Sequence, residues 1–133
     1  MTTEYSAKEM SASRTILYVG ATKYLTGNSI TSAISKDWQK AGEVASHFDN
    51  HGFDLNPEDS VRTIEELRSE IRDKAWNGIL LGWCIRGHVE FTALFEQVVS
   101  VCVDETRSME GVKLMFSTGP DNLFETVLRN FPE

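Results

Sequence analysis

A chain of 133 residues, 41% hydrophobic and 25% charged, is one domain's worth of ordinary globular protein and too short for two independent cores. Its 13 Lys+Arg against 20 Asp+Glu leave a net charge of -7, which opposes attraction to phosphate backbones and argues against a nucleic-acid partner. The apolar runs are far shorter than the roughly 20 residues that span a bilayer, and the opening MTTEYSAKEMSASR lacks the apolar stretch of a secretory signal. These features predict a cytoplasmic protein with no membrane partner. They divide the chain into a flexible N-terminal arm over 1–13 and a single α/β domain over 14–133.

In chain order, the short apolar run Thr15–Val19 (TILYV), closed by Gly20, fits a strand buried on both faces. From Ile30 apolar residues recur at Ile34, Trp38, Ala41, Ala45 and Phe48, which predicts one long amphipathic helix ending near the turn-prone Asn50–Gly52. Phe53–Leu55 then fits a brief second strand before the Pro57 turn. Ser60 precedes a helical stripe at Val61, Ile64, Leu67 and Ile71, which stops by Asn77-Gly78.

The most apolar short run, Ile79–Ile85 (ILLGWCI), predicts a central strand. A third helix follows over about Val89 to Asp104, with apolar residues around more of its circumference than one sheet face can cover. That excess is consistent with a homodimer through helix 89–104, or with a central core helix. Val112–Phe116 is the last strand, and Leu123, Phe124, Val127, Leu128 and Phe131 give the closing helix its stripe. Strand and helix thus alternate four times. Right-handed crossovers between short connections then predict a small doubly wound α/β fold, with a mostly parallel four-stranded sheet and helices on both faces.

In such sheets ligands bind beyond the carboxyl ends of the strands, so three segments become candidates for chemistry. The stretch GWCIRGHVE brings Cys84, Arg86, His88 and Glu90 to the end of the third strand. There Arg86 would bind or polarise a substrate, His88 or Glu90 would move a proton, and Cys84 would line the pocket or act as a nucleophile. The ordinary alternative is a small core residue, a surface cation and a helix entry. Thr22 and Lys23 after the first strand, Trp83, and Thr118 and Asn122 after the last strand are the expected substrate contacts. Ser117 and Thr118 both supply hydroxyls at this rim, and Asp121 or Asn122 is the expected cap of the last helix.

Cys84 and Cys102 lack CxxC spacing and are expected to be free thiols. His47 and His51, four apart, form no ligand set with a third residue, so no metal is expected. A small-molecule substrate and cofactor-free acid–base chemistry of the isomerase, cyclase, lyase or hydrolase type follow from this cluster. GxGxxG does not occur. Nor is there the acidic pocket of a phosphorelay receiver, since Gly20-Ala21-Thr22 and Cys84 stand at those positions.

One further motif bears on the function. Thr26, Gly27, Asn28 and Ser29, with Ala33 four residues later, match a T-G-N-T/S turn followed by alanine. In this the chain resembles the phosphate-binding loop of the flavodoxin-like superfamily, although extra residues separate Tyr18 from Thr26. The resemblance implies an FMN whose phosphate Thr26, Asn28 and Ser29 would cradle. It implies a flavin redox protein as the alternative to the acid–base enzyme, and a non-catalytic oligomeric binding module remains a third possibility.

Overall fold

The computed structural model describes residues 13–119 and 121–132; the arm expected over 1–13 lies, but for its last residue, outside these. Among the described residues no helix is long and apolar enough to cross a membrane. Four strands, β1 (Arg14–Gly20), β2 (Phe48–Asp54), β3 (Gly78–Leu81) and β4 (Lys113–Phe116), form one sheet in the order β2-β1-β3-β4. Every pairing is parallel, with Ile16 opposite both Asn50 and Gly78, and Leu81 opposite Phe116. The helices are α1 (Thr22–Thr26), α2 (Ile30–Trp38), α3 (Ser60–Asp73), α4 (Trp83–Arg86), α5 (Thr92–Thr106) and α6 (Leu123–Asn130). This is the small doubly wound α/β fold that the alternation predicts.

Strand periodicity sorts the core into two layers. Leu17, Val19, Ile79 and Leu81 point to one face, where Leu67 and Ile71 of α3 and Leu94, Val98, Val101 and Cys102 of α5 cover them. Ile16, Tyr18, Leu80 and Met115 point to the other, against Ile30, Ile34 and Trp38 of α2 and Leu123 and Val127 of α6. Half-buried Phe95 and Val99 pack against the first layer. The sheet therefore takes most of the surplus apolar surface of α5, and Val103 is left 49% exposed.

Several boundaries differ from expectation. The helix expected to run through Phe48 ends at Trp38. A 3-10 segment, Gln39–His47, follows it and is broken at Gly42, whose φ of 66° lies in the left-handed region that glycine favours. Consequently β2 starts at Phe48, and Asn50-His51-Gly52, expected as a turn, lies inside it. Gly52 is required for close approach: a Cβ there would meet Ile30 Cγ2 at 2.7 Å and Thr31 Oγ1 at 2.9 Å, because α2 crosses the strand at this point. His47 and His51 consequently share no helix face, and His51 Nε2 lies 3.0 Å from Asp49 Oδ2. Asp59 takes the N-cap position expected of Ser60, its carboxylate accepting from Arg62 N at 3.4 Å.

Buried polar groups tie the layers together. Trp38 Nε1 donates to Tyr18 Oη at 2.8 Å, and that hydroxyl donates to Asn50 Oδ1 at 2.7 Å. Burial drives the Tyr18 phenol pKa far above its ordinary value, against the opposing effect of the Trp38 bond. Asp37 supplies the carboxylate at the start of α6, its Oδ2 accepting from Phe124 N at 2.9 Å while Lys40 Nζ lies 2.8 Å from Oδ1. This replaces the expected cap by Asp121 or Asn122. Asp54 does the same for α2, its Oδ1 accepting from Ile30 N at 2.8 Å. Across α3 and α5, Glu105 receives Arg68 at 2.7 Å and Arg72 at 2.7 and 2.9 Å.

Candidate functional site

The chain leaves β1 toward β2 on one side and returns to β3 on the other, so the topology reverses between β1 and β3. Loops diverge at such a point and leave a crevice at the carboxyl edge. Gly20-Ala21-Thr22 enters it from β1, Gly82-Trp83-Cys84 from β3, and Ser117 to Gly119 from β4. The ladder runs one residue past the strands, with Gly82 N bonded to Val19 O at 2.9 Å and Ser117 N to Leu81 O at 3.3 Å. From Trp83 onward the backbone bonds to itself in the helical turn α4, closed by Gly87 N on Trp83 O at 2.6 Å. The strand expected through Ile85 therefore stops at Leu81, and Cys84 lies in α4 instead of at a strand end.

Thr22, Trp83, Cys84 and Ser117 meet at a cavity of about 20 Å³ backed by Ile30 and Leu123, enough room for one water. Thr22 Oγ1 donates to Cys84 Sγ at 3.8 Å. Ser117 is wholly buried, and among the described residues its Oγ has no hydrogen-bond partner. The side chains lining this cavity carry no formal charge. Trp83 forms the outer wall, 42% exposed.

The remaining candidates are spread around this point. Arg86 Nη2 donates to Ser117 O at 2.8 Å, and its guanidinium carbon stands 5.1 Å from the Trp83 ring centroid and 5.6 Å from that of Phe116. It clamps the β3 and β4 loops together, with Nε buried and without a hydrogen-bond partner among the described residues. His88 Nδ1 lies 3.0 Å from Cys84 O. Since a carbonyl only accepts, Nδ1 carries the hydrogen, and in the neutral ring Nε2 holds the lone pair. His88 precedes the 3-10 turn Val89–Phe91 rather than lying in a first helical turn, and Glu90 is exposed within that turn.

Thr118 and Asn122 bond each other, Asn122 Nδ2 donating to Thr118 Oγ1 at 2.7 Å and Thr118 N to Asn122 Oδ1 at 3.2 Å, which holds the β4–α6 turn. The sequence places the hydroxyls of Ser117 and Thr118 together at the rim; the fold buries the first and exposes the second. Lys23 is exposed on α1. Sequence reasoning missed Asp37 and Asp54 as helix caps, because each caps a helix through a contact that no local spacing encodes.

The Thr26–Ser29 loop does not fit the phosphate of FMN. Thr26 Oγ1 donates to Thr22 O at 2.8 Å and accepts from Asn28 N at 3.1 Å, Ser29 Oγ accepts from Ser32 N at 3.2 Å, and the Asp54 carboxylate already occupies Ile30 N. Gly27, with φ of 83°, closes α1 in the left-handed conformation, and the extra residues after Tyr18 form α1 itself. The loop ends one helix and caps the next, and a phosphate brought to it would meet a carboxylate. The chain matches no protein-family model, no curated protein and no solved structure.

Proposed function

We propose that the protein is a small enzyme that takes a compact anionic or carbonyl-bearing metabolite into the crevice between the carboxyl ends of β1, β3 and β4. It works there by acid–base or thiol-assisted chemistry, without a flavin. The wholly buried, unpartnered Ser117 hydroxyl carries this reading, because it lines the same small cavity as Cys84 and Thr22. An unsatisfied buried hydroxyl costs roughly 1–3 kcal/mol, and such groups are retained where a ligand completes them. The strand order, which is that of flavodoxin-like sheets, supports the location, since its reversal point is where those sheets bind ligands.

The roles divide accordingly. Cys84 is the candidate nucleophile, with the Thr22 hydroxyl directed at its sulfur, and Ser117 binds a substrate oxygen. His88 offers Nε2 as a proton carrier at the mouth of the crevice. Arg86 holds the β4 loop in place, and Trp83 controls access. A thermal-shift screen of small acids, aldehydes and ketones, followed by amide chemical-shift mapping of those that respond, tests this. A ligand at a hundred times its Kd stabilises by about 2.7 kcal/mol, and the shifts should centre on residues 20–23, 82–84 and 117–119. Responsive compounds that shift only amides of α3 and α5 would refute the assignment.

A further inference from the structure

We infer that the ligand is a short neutral aldehyde, and that Cys84 adds reversibly to its carbonyl carbon while the Ser117 hydroxyl holds the carbonyl oxygen. This rests on the crevice being the ligand site and narrows its substrate class. Charge is the first reason. Among the described residues no charged side chain lines the cavity, while the starts of α2 and α6 beside it already hold the carboxylates of Asp54 and Asp37. The nearest guanidinium, Arg86, is committed to Ser117 O and faces Phe116. An anion entering here would lose its hydration and find no opposite charge among the side chains that line the cavity.

Chemistry supplies the second. The two groups an aldehyde needs line one cavity: a hydroxyl donor with no partner among the described residues, and a sulfur nucleophile. Thr22 Oγ1, 3.8 Å from Cys84 Sγ, donates to the sulfur and favours the thiolate that attacks, whose charge passes to the carbonyl oxygen as the C–S bond forms. In the step the sulfur lone pair forms a C–S bond and the carbonyl π pair moves to oxygen. The proton released by the thiol passes to that oxygen through Ser117 or water. Nothing is oxidised, nothing leaves, and the product is a hemithioacetal.

Size supplies the third. The cavity of about 20 Å³ holds one water, so a larger ligand enters only if the exposed Trp83 indole turns outward, and a short one asks the least of that movement. Cys102, the other thiol, lies in the core, where burial pushes its pKa up to about 12 and keeps it unreactive.

The full chain is titrated with [1-13C]acetaldehyde and, separately, with acetate and inorganic phosphate, while the carbon signal of the probe and the protein amides are followed by NMR. Acetaldehyde is expected to give a new sp3 carbon signal and to shift the amides of 82–84 and 117–119. The signal is lost in Cys84→Ser, and its apparent affinity falls about tenfold in Ser117→Ala. Thr22→Val, close in shape, serves as a second variant should Ser117→Ala not fold, and is expected to form the adduct several-fold more slowly; an unchanged rate overturns the part given to the Thr22 hydroxyl. Acetate or phosphate shifting those amides without an acetaldehyde adduct overturns the inference and leaves the crevice as the site. No response of those amides to any probe overturns both. An adduct that survives Cys84→Ser overturns the role of the thiol.

Discussion

Substituting Gly87 by alanine isolates the wall of the crevice from its floor. A Cβ at position 87 would lie 2.2, 2.5 and 2.7 Å from Trp83 Cε2, Cζ2 and Cδ2, so the indole must leave its seat. The backbone does not resist, since φ of -91° and ψ of 0° at Gly87 suit alanine, and losing the freedom of glycine in the unfolded chain stabilises by about 0.4–1 kcal/mol. Against that stands the contact between the indole and the Arg86 guanidinium at 5.1 Å, worth about 0.5–1 kcal/mol at an exposed site. The two nearly cancel, and stability measured by urea unfolding should change by less than about 1 kcal/mol. The site should change far more. Trp38 and Trp76 are buried and Trp83 is exposed, so acrylamide quenching reports mainly on Trp83. Quenching should increase, the emission should move to the red, and the Cys84 thiol should react several-fold faster with a disulfide reagent. Unchanged quenching and thiol rate would refute the picture of Trp83 as the movable wall. A loss of more than about 2 kcal/mol, the scale of burying a large side chain, would show instead that the ring belongs to the core.

Tyr18→Phe removes the acceptor of Trp38 Nε1 and the donor to Asn50. Leaving the buried indole N–H unpaired should cost about 1–3 kcal/mol, read as a lower urea midpoint at unchanged slope. Gly52→Ala should cost about 1–3 kcal/mol by overpacking against Ile30 and Thr31, and truncating Ile30 in the same chain should make the two losses less than additive. Arg72 and Arg68 hold the Glu105 carboxyl below its ordinary value of 4.5. Its contribution is therefore complete above that value and lost as pH falls through the lower folded-state pKa. Stability curves of the parent and Glu105→Gln should accordingly be separated at neutral pH and converge in acid.

The alternation of strands and helices was legible because β1, β3 and β4 are compact apolar runs and the longer helices carry a stripe of matching period. The edge strand β2 was not. Its Asp49-Asn50-His51-Gly52 carries turn-forming residues, and only the passage of α2 across it explains the glycine. Gly42 was equally silent, since its left-handed backbone breaks a stripe that continues in sequence through Ala45 to Phe48. That Thr22, Cys84 and Ser117 come together at one edge followed from the sheet alone, because parallel strands deliver their loops there. The residue roles depended on partners 31 and 62 positions away, as with Arg86 on Ser117 O and Thr22 on Cys84.

The run GWCIRGHVE shows why location and role separate. In an extended strand Cys84, Arg86, His88 and Glu90 would share one face, because side chains alternate, and the four would look like one constellation. The chain coils at Trp83 instead, and a helical turn advances about 100° per residue. Arg86 is thereby carried about 200° from Cys84, to the side where Phe116 and Ser117 O receive it. His88, four residues on, comes back under the Cys84 carbonyl. The same turn thus leaves Cys84 lining the small cavity and carries the guanidinium away from its lining. Arg86→Ala should consequently act by loosening the β4 loop and the Ser117 hydroxyl with it. Its effect on ligand affinity should track that of Ser117→Ala, with no dependence on the charge of the ligand.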